Sequence, residues 1–288
     1  MEIINKLVEL GIDPTTAQTI NLLAEADNTS IIVGGIDTEL AEKTVETISS
    51  KHTPTPQSPD NAEQFKDAIA SPLKADPDFI AFGEVRNEEQ AQLFMNAVTS
   101  GVKVFAPIRC SSALAAFDRL EALGIPKNAT CAPTNGVSAV IYNTPVKRMC
   151  PKCSKSVAQL RLFLSEEQNQ ELDSLRDSVH PFIDKEKFDD LAISSGERCT
   201  HHPKNYVFTS ILFLDERVQK LIEKRDVLVN GELSEEEFLM VLETYSHNAL
   251  KRLLGDKLEE VHSNANVTRA KALCESGELD MMEVINKF

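Results

Sequence analysis

The chain reads as an α/β protein built on a parallel sheet covered by helices on both faces, and three observations carry that reading. Short apolar runs at Ser30–Gly35, Phe79–Phe82, Val102–Pro107 and Val137–Tyr142 recur through the first half. Helical stretches at 37–50, 87–99 and 111–123 separate them, which is the β-α-β rhythm of parallel strands joined by crossover helices. Phe79–Phe82 is continuously apolar rather than alternating, as expected of a strand buried on both faces.

In chain order, residues 2–26 carry apolar positions at helical spacing. Gly11-Ile12-Asp13-Pro14 interrupts them as a stop followed by an Asp-Pro helix start, predicting two helices. The Pro-rich tract His52–Asp60 suits neither a helix nor a central strand and reads as a surface loop. From about residue 154 strand signals fade, and the remainder reads as helical, acidic and punctuated by Gly196, Gly231, Gly255 and Gly277. No internal repeat or low-complexity tract is found.

With 288 residues, 42% of them hydrophobic, the chain is long enough for one large or two smaller cores. Trp is absent and aromatics reach only 6%, so the core is expected to be mainly aliphatic. A formal net charge of −15 argues against nucleic acid and against adsorption to anionic lipid, and favours a protein partner. No apolar run approaches the roughly 18 residues that span a bilayer. Met1-Glu2-Ile3-Ile4-Asn5-Lys6 lacks the basic and apolar regions of a signal peptide. A cytoplasmic location follows as the expectation, with reduced cysteines for which metal is a better explanation than disulfides.

Cys150-x-x-Cys153 and Cys199-x-x-His202 form two short hooks, the usual way to supply four ligands to a tetrahedral structural zinc. Pro151 and Pro203 stiffen the turns, and His201 is an alternative to His202. Cys110, Cys131 and Cys274 fit no metal pattern and read as small buried hydrophobes. His52, His180, His247 and His262 stand isolated, with no arrangement that suggests nucleophilic catalysis.

Asp76-Pro77-Asp78-Phe79-Ile80-Ala81-Phe82-Gly83-Glu84-Val85-Arg86 places a carboxylate at the carboxyl end of a buried strand, where open α/β sheets bind ligands. The segment strongly resembles the Walker B region of the type II secretion and type IV pilus assembly ATPases. Leu10-Gly11-Ile12 through Val33, Val146–Cys153 and Arg269–Ile285 resemble other parts of that family. The resemblance implies a RecA-like core at 1–145, a zinc-binding helical insert at 146–206 and a helical C-terminal domain at 207–288, together a motor domain without its usual preceding domain. It also implies that Asp78 would help hold Mg²⁺ and Glu84 would orient the attacking water, with Arg86 beside them. The family has Cys-x-x-Cys at both hooks, so His202 is a departure that keeps the ligand count.

The window corresponding to the family's phosphate loop is Asp37-Thr38-Glu39-Leu40-Ala41-Glu42-Lys43-Thr44. Lys43 and Thr44 hold the nucleotide-binding places, yet Asp37 and Glu42 replace both motif glycines. A helix start carrying Asp37 and Glu39 is neutralised by its own side chains and repels a triphosphate. The family's arginine pair falls at Ala70 and Lys74, its histidine at Arg109, and a Gln-Arg pair at Asn143 and Thr144. Without a phosphate cradle, Glu84 and Arg86 read as a structural or interface ion pair.

The expectation is a degenerate subunit that neither binds ATP with Mg²⁺ tightly nor hydrolyses it. It would act with protein components of a cytoplasmic pilus, conjugation or secretion machine, an intact ATPase relative among the candidates, reaching the inner membrane through partners. Retention of Glu84 and Lys43 favours the rival, an active ATPase. A zinc-stabilised adaptor outside any ring is the third reading.

Overall fold

The computed structural model of the protein describes residues 2–27, 29–50, 79–132, 135–150, 152–178, 185–194, 204–231, 233–254, 265–280 and 284. The elements are α1 (Glu2–Glu9), α2 (Pro14–Glu25), β1 (Ile31–Gly35), α3 (Thr38–Ser49), β2 (Phe79–Ala81), α4 (Glu88–Thr99) and β3 (Lys103–Arg109). They continue as α5 (Ala115–Ala122), α6 (Lys127–Thr130), β4 (Ala139–Val146), β5 (Ser154–Ser156), α7 (Val157–Arg161) and α8 (Glu166–Ser178). A 3-10 turn (Lys185–Asp190), β6 (Ala192–Ser194), β7 (Tyr206–Phe213), α9 (Glu216–Glu223), α10 (Arg225–Gly231), α11 (Glu235–Leu254) and α12 (Ala265–Glu275) complete the list.

The chain divides into two compact units, Met1–Thr144 with Thr209–Ser263, and Pro145–Phe208 with Asn264–Phe288.

The first unit opens as the sequence predicts. Asp13 caps α2 by accepting hydrogen bonds from the Thr15 and Thr16 N–H groups, both at 3.0 Å, with Pro14 at the first helical position. Gly11 turns the chain between the helices at φ 101°, a conformation that favours glycine. The sheet runs β2-β3-β1-β4-β7, so β3 lies between β1 and β2. β1 is parallel to β3 (Ile31 opposite Phe105) and to β4 (Ile31 opposite Ala139), and β2 is parallel to β3 (Phe79 opposite Lys103). β1 is buried along its whole length, as a continuous apolar run requires. Ile32, Ile80, Val104, Val140, Phe94, Phe117, Leu212 and Phe238 belong to one hydrophobic cluster.

β7 corrects the expectation that strand signals end near 154. Tyr206-Val207-Phe208-Thr209-Ser210-Ile211-Leu212-Phe213 is aromatic and β-branched, which suits a half-buried pleated surface, and it is the fifth strand of the main sheet. Two further strands lie in the second unit, where β5 and β6 pair antiparallel with Ser154 opposite Ser194. There Val146, Val157, Phe188, Leu191, Tyr206, Phe208, Ala270, Cys274 and Leu279 form a separate core. Among the described residues no helix is long and apolar enough to cross a membrane.

Candidate functional site

Because β1, β3 and β4 are parallel and in register, their carboxyl ends lie on one edge, with Gly35 level with Arg109 and Asn143. The segment after β2 is drawn to the same edge. Phe82 N–H donates to the Phe105 carbonyl at 2.8 Å and Val85 N–H to that of Pro107 at 3.0 Å. Glu84 and Arg86 therefore stand where ligands of open α/β sheets bind.

The window 37–44 is a helix start rather than an open loop. Asp37 caps α3 by accepting from the Leu40 N–H at 3.2 Å, and Thr38 is the first helical residue. Lys43 consequently lies in the second turn. Its Nζ is 2.5 Å from Glu39 Oε1 in an exposed i,i+4 pair, and this bond holds the Glu39 carboxyl below and the Lys43 ammonium above their ordinary pKa values. Gly35 precedes this turn closely: a Cβ there would meet the Asn143 carbonyl at 3.2 Å and that of Asp37 at 3.3 Å. Gly34 is confined further, since its Cβ would fall 2.6 Å from the Cys110 Sγ.

Thr44 points inward and is fully buried. Its hydroxyl donates to the Leu40 carbonyl at 2.8 Å and accepts from Asn143 Nδ2 at 3.0 Å. Asn143, only 1% exposed, accepts in turn from the Thr209 hydroxyl at 2.8 Å. α3, β4 and β7 are thereby tied through one chain of hydrogen bonds. Sequence reasoning singled out Thr44 and Asn143 without pairing them and missed Thr209, because the strand that carries it was not recognised.

Glu84 is nearly enclosed, and its Oε2 accepts from Arg86 Nε at 2.6 Å, as the expected ion pair. The structure adds Glu42, whose Oε1 lies 4.0 Å from Arg86 Nη2. Burial pushes the Glu42 carboxyl above its ordinary pKa, the Glu84 charge adds to the push, and Arg86 opposes it. The residue in place of the second motif glycine thus brings a carboxylate to the edge that already carries Glu84. Arg109 is exposed at the end of β3. Asp78 lies outside the described residues, as do Ala70 and Lys74.

Of the proposed metal ligands, Cys150 is buried and Cys153 half-buried. The Cys153 and Ser154 N–H groups both donate to the Cys150 carbonyl, at 3.1 and 2.9 Å, which makes the first hook a tight turn. Cys199, His201 and His202 lie outside the described residues, and among those described no group of three metal-ligating side chains occurs. Cys110, Cys131 and Cys274 are buried as expected, and burial pushes their thiols up to about 11, 11 and 12.

Comparison with known proteins places these features in a family. The "Protein transport protein HofB homolog" of Haemophilus influenzae is 32% identical over 94 residues, 33% of this chain and 20% of that protein. "Type II secretion system protein E" of Klebsiella pneumoniae is 32% identical over 89 residues, 31% of this chain and 17% of that protein. The "Type IV pilus assembly ATPase PilB" of Thermus thermophilus is 32% identical over 112 residues, 37% of this chain and 12% of that protein. The matched stretches thus span a fifth or less of these relatives. In fold, the chain is similar to the pilus retraction motor PilT, solved with ADP, with a TM-score of 0.54 at 11% identity, covering 93% of this chain and 64% of that one. It is also similar to the Legionella pneumophila ATPase DotB, with a TM-score of 0.50 at 14% identity, covering 98% of this chain and 66% of that one. The family described as "Type II/IV secretion system protein" matches residues 9–253, most of the sequence, and the chain belongs to that family.

Proposed function

We propose that this chain is a structural or regulatory member of its family that does not hydrolyse ATP. The observation that carries the reading is Thr44. A hydroxyl that is to hold Mg²⁺ beside a triphosphate has to face the site, whereas this one is enclosed and engaged by Leu40 and Asn143. The helix end beside it is already capped by Asp37, and Glu42, in place of a motif glycine, adds a carboxylate to the edge that carries Glu84. These residues do not fit a magnesium triphosphate.

The second reading, a working ATPase, rests on Glu84 at the carboxyl edge and on the retained Lys43. Phosphate release from ATP by the purified chain and by Glu84→Gln separates the two. The proposal expects no release above background from either protein; turnover in the first that is lost in the second supports the motor.

A structural zinc bound by Cys150, Cys153, Cys199 and His202 completes the proposal. Support comes from the β5–β6 ribbon: the first hook ends at Cys153, just before Ser154, and Ser154 is paired with Ser194. Cys199 follows Ser194 by five positions, a reach of up to about 17 Å, so the chain can return the second hook to the first. Zinc there would contribute folding free energy directly. The partners follow from the family: protein components of a pilus, conjugation or secretion apparatus at the cytoplasmic side of the inner membrane, an intact ATPase relative among them.

A further inference from the structure

At the opposite edge of the same sheet, a cavity of about 380 Å³ opens where Ser30, Val102 and Ser138 precede β1, β3 and β4. Three features set it apart from a packing defect. Gln219 of α9 lines it at 5% exposure, with its Nε2 donating to the Ala132 carbonyl at 3.3 Å and its Oε1 buried without a hydrogen-bond partner among the described residues. A buried carbonyl left in that state is costly, and an unpaired group in a polar cavity marks the place of something that donates to it. Asn135, also in the lining, holds φ at 61°, a left-handed conformation that asparagine tolerates better than other non-glycine residues and that turns the chain at the cavity wall. Gly136 allows the approach of chain to chain beside it, since a Cβ there would fall 2.5 Å from the Ala132 carbonyl oxygen.

We propose that this cavity binds a small neutral molecule bearing a carboxamide or ureide group. No charged side chain occurs among the described lining residues, which disfavours phosphates and carboxylates. Gln219 Oε1 requires an N–H or O–H donor. Ser138 Oγ accepts from the Ser30 N–H at 3.2 Å and keeps its own proton to donate, so it offers an acceptor the complementary contact. An amide presents donor and acceptor side by side. Val98, Val137 and Leu214 in the lining supply apolar surface for the rest of the molecule, and the volume lies in the range of small-molecule sites. The site is remote from Glu84 along the strands and stands whether or not the chain hydrolyses ATP.

NMR titration of the isotope-labelled full chain with nicotinamide, and separately with the isosteric acceptor-only nicotinate, tests the proposal. The expected result is saturable shifts at Gly136, Ser138 and Gln219 with nicotinamide, with a Kd on the order of 1 mM for so small a probe. Nicotinate binding should be at least about tenfold weaker, as should nicotinamide binding to Gln219→Met. Absence of saturable shifts with nicotinamide means that water alone fills the cavity and overturns the proposal, as do equal affinities for amide and acid. Should Gln219→Met not fold, the amide-to-acid comparison on the unaltered chain decides by itself.

Discussion

Asn143 Nδ2 lies 3.0 Å from Thr44 Oγ1, and this hydrogen bond gives the threonine a role in the interior of the fold. The same amide accepts from Thr209, so a single buried side chain joins α3 to β4 and β7. Thr44, a nucleotide-binding position by resemblance to the family, here faces the interior and is engaged by Leu40 and Asn143.

Replacing Asn143 by Ala should therefore destabilise the first unit. The Thr209 hydroxyl loses its acceptor in a dry environment and Thr44 loses its donor, a cost of about 2 kcal/mol. Urea denaturation measures it. If the interaction is pairwise as described, the combined Asn143→Ala, Thr44→Val variant loses less than the sum of its single changes. Additive losses would indicate that the two side chains act independently.

Glu42 should make stability depend on pH in the opposite sense to an ordinary ion-paired carboxylate. Its folded-state pKa is raised, chiefly by burial and then by Glu84, so its ionised form opposes folding. That penalty is fully present above the folded-state pKa and disappears as pH falls below the unfolded value, about 4.3. Glu42→Gln should consequently raise Tm at about pH 7 and leave it unchanged near pH 3.5. The side chain is 41% exposed, so solvent screening keeps the gain small. A fall in Tm at neutral pH would mean that attraction to Arg86 outweighs burial.

Gly34 should resist substitution because of one atom. The Cβ of Gly34→Ala would lie 2.6 Å from Cys110 Sγ, and relieving that contact in a packed core costs about 1 to 3 kcal/mol. Cys110→Ala removes the obstructing sulfur, so Gly34→Ala made in that background should cost markedly less. Equal costs in both backgrounds, compared by chemical denaturation, would refute the steric account.

The parts of the fold that were legible in the sequence are those whose physics is local. Asp13-Pro14 announces a helix start whatever surrounds it, and the continuous run at Phe79 announces a buried strand. Asp37 and Glu39 likewise disclose a helix in place of a phosphate loop, since capping and the absence of glycine act within one turn. What remained hidden depends on tertiary context. β7 interrupts a stretch otherwise dominated by acidic helices, and its own apolar run does not say which sheet it joins. The approach of Glu42 to Glu84 joins two segments distant in the chain and becomes visible only once the register of β2 with β3 is known.

The cysteine hooks lead to a stoichiometry. Protein purified without added metal should contain about one zinc per chain, and Cys150→Ser should lose it and destabilise the unit that contains the hook. Elemental analysis by mass spectrometry checks both statements. Zinc near zero in the unaltered chain, or unchanged in Cys150→Ser, would remove the site.

The central claim is that the edge carrying Asp37, Glu42, Thr44 and Glu84 has ceased to be a nucleotide site, and isothermal titration calorimetry of the purified chain with Mg-ATP addresses it most directly. The account predicts no saturable heat at micromolar to low-millimolar ATP, and no recovery of full binding in the Asp37→Gly, Glu42→Gly double variant, because the enclosed Thr44 and the exposed Arg109 remain as they are. Saturable binding in the micromolar range by the unaltered chain would contradict it.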